Sequence, residues 1–116
     1  MKTLQSLKEL AIESLKETAT TCDREDDLID SISEVADGCV PIYYSDLYTI
    51  FADSPDAINA ALEDYVQETG GEDLGERVKN YGLSNLIAIG IYWHLEQYLQ
   101  GQAGKVWNEK EQEDEE

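Results

Sequence analysis

Nine large apolar side chains crowd the sixteen residues from Asn85 to Gln100: Leu86, Ile87, Ile89, Ile91, Tyr92, Trp93, Leu95, Tyr98 and Leu99. Glu96 is the only fixed charge among them, and His94 the only other titratable side chain apart from the tyrosines. At helical spacing these residues surround the axis on most sides, so the helix belongs either in the centre of a bundle or in a subunit contact. In a chain of 116 residues both uses are expected. The reading is therefore a homodimer with Tyr92, Trp93 and Tyr98 at or near the contact. Gly90 in the middle costs about 1 kcal/mol relative to Ala unless it permits a close helix crossing.

The rest of the chain also has a 3.6-residue period and shows no alternating strand pattern. Leu4, Leu7, Ala11, Leu15 and Thr18 make one stripe of a first helix over roughly residues 3–20. A second is expected from Asp26 to Asp37, capped by Asp23 or Asp26, burying Ile29, Ile32, Val35 and Ala36 and ending at Gly38. A third starts at Pro41 and buries Tyr43, Tyr44, Leu47, Ile50 and Phe51. A fourth follows Ser54 and Pro55 to about Glu68, with Ile58, Ala61, Leu62 and Tyr65 inside and Gly70-Gly71 at its end. Residues 72–82 read as a less regular turn of helix between glycines. Ser84 then caps the apolar helix, and Gly101 and Gly104 break it. Residues 109–116 hold six acids, one Lys and no apolar side chain, which predicts a disordered acidic tail. The fold class is all-α: a small elongated bundle of about five helices, one domain over 1–108 and a tail over 109–116.

Charge is segregated along this frame. Asp23 to Glu76 carries sixteen carboxylates against one basic residue, Arg24, a net of −15 out of −18 for the chain. Arg77 to Trp107, with three basic residues and Glu96, has a net charge of +2. Such a field strains the fold by self-repulsion, a cost that makes sense if it is aimed at a basic partner or serves solubility. Duplex DNA presents about one charge per 1.7 Å, so 18 charges match roughly 30 Å of duplex. Within the segment, Asp27, Asp30, Glu34 and Asp37 fall at i, i+3, i+7 and i+10 and predict one outward acidic ridge.

Catalytic chemistry finds little support. His94 sits on an apolar helix with no nucleophile motif near it, so a structural role is favoured. Cys22 and Cys39 lack metal-ligand spacing and read as small core or boundary thiols, reduced in a cytoplasmic protein. No phosphate-cradling loop is present. Asp23, Glu25, Asp27 and Glu34 occupy positions 1, 3, 5 and 12 of a calcium-loop template, but Leu28 stands where the template needs Gly, and helical periodicity accounts for the same residues better. No cofactor and no metal are expected, nor a signal peptide, since Leu4, Leu7 and Leu10 are interleaved with Lys8, Glu9 and Glu13. No apolar run reaches membrane-spanning length.

Val35-Ala36-Asp37-Gly38-Cys39-Val40-Pro41-Ile42-Tyr43-Tyr44-Ser45-Asp46-Leu47 resembles the corresponding region of the Ocr-like phage antirestriction proteins, which imitate B-form DNA. Arg24-Glu25-Asp26-Asp27-Leu28 and Ile87-Ala88-Ile89-Gly90-Ile91-Tyr92 are similar to other parts of that family, Val-Pro-x-Tyr-Tyr-x-Asp being the most specific piece. The resemblance implies a bent, elongated helical homodimer acting in the host cytoplasm. It would occupy the DNA groove of type I restriction-modification enzymes with carboxylates in place of phosphates, evading host defence without binding nucleic acid or membrane. By position, Asp23, Glu25, Asp26, Asp27, Asp30, Glu34, Asp37 and Asp46 carry over as partner-binding residues. Asp53, Asp56, Glu63, Asp64 and Glu68 join them as further acids of the same segment. The family's final helix is acidic, whereas residues 84–107 here are nearly neutral, so either the mimic is shorter or the fourth helix supplies its negative surface through Glu63, Asp64 and Glu68.

Two other readings follow from the same charge. One is an acidic adaptor or inhibitor binding a basic surface, for example on RNA polymerase or a nuclease, without imitating DNA; competition with duplex DNA separates it from a mimic. The other is a calcium-binding module, separated by a calcium titration.

Overall fold

The computed structural model describes residues 3–41, 43–69 and 82–114, with side chains for all of these except Thr69, Glu113 and Asp114. Thr3 opens the first helix, α1 (Leu4–Ala19), with a reciprocal capping box: the Thr3 hydroxyl accepts from the Ser6 amide, and the Ser6 hydroxyl accepts from the Thr3 amide. Leu4, Leu7, Ala11, Leu15 and Ala19 form its buried stripe, while Thr18 is half-buried and donates to the Ser14 carbonyl.

The second expected helix is two. α2 (Glu25–Asp30) and α3 (Ile32–Cys39) meet at Ser31, whose hydroxyl donates to the Leu28 carbonyl at 2.6 Å. That carbonyl is the normal acceptor for the amide four residues on, so the serine competes with the helix ladder and marks the break. The amide of Ser31 is itself shared between Asp27 and Leu28 carbonyls. The break also changes the buried face: Leu28, Ile32, Ala36 and Cys39 are inside, Val35 is half-buried, and Ile29, expected inside, is 45% exposed. Neither expected acidic cap is used. Arg24 is the N-cap of α2 without a side-chain bond, and Asp26 lies in the first turn, where its charge favours the helix dipole. Gly38 falls within α3 rather than after it.

α4 (Tyr44–Asp53) begins three residues later than Pro41, which is buried in the connection before it. Leu47 and Ile50 are its buried residues and Phe51 is half-buried, but Tyr43 and Tyr44 are 66% and 68% exposed instead of in the core. α5 (Pro55–Thr69) has Pro55 at its first position, as expected, and buries Ile58, Ala61 and Leu62 with Tyr65 half-buried. The Ser54 hydroxyl donates to the Asp53 carboxylate at 3.1 Å. The expected end of α5 at Gly70-Gly71 and the turn over 72–82 lie outside the described residues, apart from Gly82.

The last helix, α6 (Leu83–Asp114), is twice as long as its periodicity suggests. It starts after Gly82, whose φ of 84° only glycine adopts readily, and Ser84 lies in its first turn rather than capping it. It passes through Gly101 and Gly104 because Ala103, Val106 and Trp107 are buried beyond them. Burying side chains of that size contributes about 1.5–3 kcal/mol for each large one, more than the roughly 1 kcal/mol that each glycine costs. The first tail residues are helical too. Trp107 Nε1 donates to Glu111 at 2.8 Å, and Lys110 stacks 4.2 Å from the Trp107 ring centroid while donating to the Cys22 carbonyl at 2.6 Å.

Every other described helix packs against α6. At 32 residues it is about 48 Å long, close to the molecule's longest extent of 53 Å. The core runs along it through Leu86, Ile87, Ile91, Leu95 and Leu99. The apolar helix is thus the axis of the bundle.

Candidate protein-docking surface

With its apolar face satisfied by α6, each outer helix turns its acids to water. Asp23 lies in the turn before α2, Glu25, Asp26, Asp27 and Asp30 on α2, and Glu34 and Asp37 on α3; all are exposed. Asp53 ends α4, and Asp56, Glu63, Asp64 and Glu68 lie on α5, exposed as well. Asp46, in the first turn of α4, is half-buried. The structure therefore brings twelve of the thirteen sequence-derived acids to the surface of one continuous run of helices.

Three of the lysines make contacts of another kind. Lys8 lies 4.5 Å over the Tyr98 ring, Lys16 stands 3.9 Å from Glu109, and Lys110 holds Cys22 and Trp107. These contacts tie α1 and the turn after it to α6. Over the 53 Å long axis, duplex DNA would carry about 31 phosphate charges, so the chain's −18 amounts to a little over half that linear density.

Tyr92, Trp93 and Tyr98 are half-buried, each engaging the same chain. Trp93 donates to Asp64 at 2.7 Å and meets Tyr65 edge-to-face, with centroids 5.3 Å apart. Tyr98 lies beneath Lys8. The Tyr92 hydroxyl has its pKa pushed up to about 12, by burial first, then by its hydrogen bond to Glu96 and the charges of Glu96 and Asp37.

Sequence reasoning missed that Tyr92 and Tyr65 line one groove. Together with Asp37, Val40, Ala88 and Ile89 they line an open groove of about 280 Å³ between α3, α5 and α6. Its residues are spread from 37 to 92; the adjacent Asp64-Tyr65 pair is the one local hint, an aromatic ring beside an acid.

His94 is half-buried, its pKa lowered by burial and by the charge of Lys8. Cys22 and Cys39 are free thiols, and burial pushes that of Cys39 up. Glu25 and Asp27 of the calcium template lie within a helix, and among the described residues no group of three or more His, Cys, Asp or Glu could hold a metal ion. No helix among the described residues is long and apolar enough to cross a membrane.

A protein-family model described as DNA mimic ocr matches residues 1–68. That span is α1 to α4 and nearly all of α5, the acid-bearing shell, and it stops before the central helix. No curated protein and no solved structure matches the chain.

Proposed function

The chain belongs to the DNA mimic ocr family, a family of DNA-mimic inhibitors rather than enzymes, and from that premise we propose that its target is a type I restriction-modification enzyme of the host. The observation that supports this reading is the exposure of twelve carboxylates on α2 to α5 and the turn before them, within the matched span. Their role is to occupy the basic DNA groove of the enzyme in the host cytoplasm and displace the counterions held there, so that affinity falls as salt rises. The thirteen acids from Asp23 to Glu68 are the proposed contact set.

The same proposal includes a homodimer. Tyr92, Trp93 and Tyr98, the contact expected from sequence, offer only the surface that Glu96, Asp64 and Lys8 leave open. Tyr44 and Tyr48, one turn apart on α4 and 68% and 45% exposed, offer more, and the dimer is proposed to seat there. Sedimentation of a micromolar solution as a monomer contradicts it.

The deciding experiment is a gel-shift and cleavage assay with a purified type I enzyme and duplex DNA. Wild-type protein should displace the DNA. A variant with Asp26, Asp27, Asp30, Glu34 and Asp37 changed together to Asn or Gln should do so substantially less well. If saturating wild-type protein leaves DNA binding intact across a panel of such enzymes, the acidic-adaptor reading takes its place.

A further inference from the structure

We propose that the groove between α3, α5 and α6 receives an arginine side chain of the DNA-binding protein that this chain inhibits, giving an otherwise diffuse acidic surface one anchoring point. The proposal rests on the DNA-mimic reading for the identity of the partner, and on the groove itself for the chemistry.

The lining selects the ligand. Val40, Ala88 and Ile89 are apolar, Tyr65 and Tyr92 supply aromatic rings, and Asp37 stands exposed among them. A volume of about 280 Å³ is below the roughly 300–1,000 Å³ of small-molecule sites and suits one long side chain. An anion is disfavoured by Asp37 and by the field of a chain with net charge −18. A plain aliphatic side chain would leave that carboxylate without a partner. A cation on a methylene stem satisfies both halves of the lining. Of the two candidates, arginine has the planar, weakly hydrated head that stacks on aromatic rings and pairs with a carboxylate through two parallel N–H bonds.

Both aromatic residues are held in place before any partner arrives. Asp64 accepts the Trp93 indole N–H, and Trp93 in turn meets Tyr65 edge-to-face, so an acid that does not line the groove fixes the residue that does. Tyr92 is held by Glu96, whose charge also adds to the negative potential at the phenol. Such preorganisation lowers the ordering cost of binding. Phosphates on a duplex offer no equivalent notch, so the groove would let the mimic hold its target by something other than charge count.

The test needs no target. Carbon-13-resolved NMR signals of Tyr65, Tyr92 and Ile89 are followed while N-acetyl-argininamide, and separately N-acetyl-lysinamide, is added to the full chain. Expected are saturable shifts confined to these residues, at least threefold tighter for the arginine probe. Asp37→Asn or Ala88→Leu should abolish them, and the matched charge change Glu13→Gln on α1 should not. Asp37 is exposed, so its variant keeps the test valid should Ala88→Leu fail to fold. Shifts spread over the acids of α2 to α5, or equal for both probes, overturn the proposal. In the DNA-competition assay Asp37→Asn should cost at least tenfold in apparent affinity and Glu13→Gln less than threefold. Equal losses sink the groove while leaving the DNA-mimic reading intact. Failure of wild-type protein to compete sinks that reading, while the arginine titration still reports on the groove.

Discussion

Gly90 and Ile58 are in contact so close that a Cβ built on the glycine would stand 2.8 Å from Ile58 Cγ2 and 3.3 Å from the Ile58 carbonyl oxygen. Ile58 is fully buried and β-branched, so it has little freedom to withdraw. Gly90→Ala therefore sets a gain of about 1 kcal/mol in helix propensity against an overpacking cost of about 1–3 kcal/mol. A net loss of stability is expected. At Gly101 nothing lies within 4 Å of the added Cβ, so Gly101→Ala should gain about 1 kcal/mol. Urea melts of the two variants should move in opposite directions, and a stabilised Gly90→Ala contradicts the close crossing.

His94 makes stability depend on pH in a defined direction. Burial and Lys8 lower its pKa below the ordinary value of 6.5, so the unfolded chain takes up the proton first. The stabilising effect of neutral His94 is complete above pH 6.5 and is lost as pH falls toward the folded-state pKa. Stability in wild type should therefore decline below pH 6.5, and His94→Gln should lack that component. An NMR titration placing the His94 midpoint at or above 6.5 in the folded protein refutes this.

Lys110 joins the end of α6 to the turn after α1. Lys110→Ala removes the ammonium from the Cys22 carbonyl and from the Trp107 ring, and a loss of about 1–3 kcal/mol is expected. Lys110→Arg should retain part of it. Thermal melts of the three proteins settle the order, and an unchanged midpoint in the alanine variant means that the two contacts carry no stability.

Crowded carboxylates on α2 to α5 should make the protein more stable in moderate salt than in very low salt. The Debye length shrinks from about 30 Å at 0.01 M to about 10 Å at 0.1 M, which screens repulsion between neighbouring helices. The melting temperature should rise over that range, and by less in the variant with Asp26, Asp27, Asp30, Glu34 and Asp37 neutralised. A flat or falling profile removes the repulsion argument.

Side chains that repeat along one helix were readable from the sequence, and those that depend on a second helix were not. Leu4, Leu7, Ala11 and Leu15 repeat at three or four residues and all are buried. Pro55 marks the start of α5 because its fixed φ has the same meaning anywhere. Ser31 was silent because a serine in a helix breaks it only when its hydroxyl captures a carbonyl, here that of Leu28. Gly101 and Gly104 read as breakers because the burial that carries the helix past them, at Ala103, Val106 and Trp107, depends on the packed bundle. The acids were legible as a set, since carboxylates are seldom buried, and twelve of the thirteen are exposed. The groove was not: Asp37, Tyr65 and Tyr92 meet only when three helices pack.

Because α6 follows the other described helices in the chain and is the surface they pack on, the order of synthesis matters. At about 5–20 residues per second, the ribosome delivers residues 1–69 several seconds before the axis is complete. Until then α1 to α5 carry most of the negative charge and lack the central surface on which each of them packs in the folded protein. A nascent chain is thus a loose polyanion, and it acquires a fixed pattern of charge only when α6 arrives.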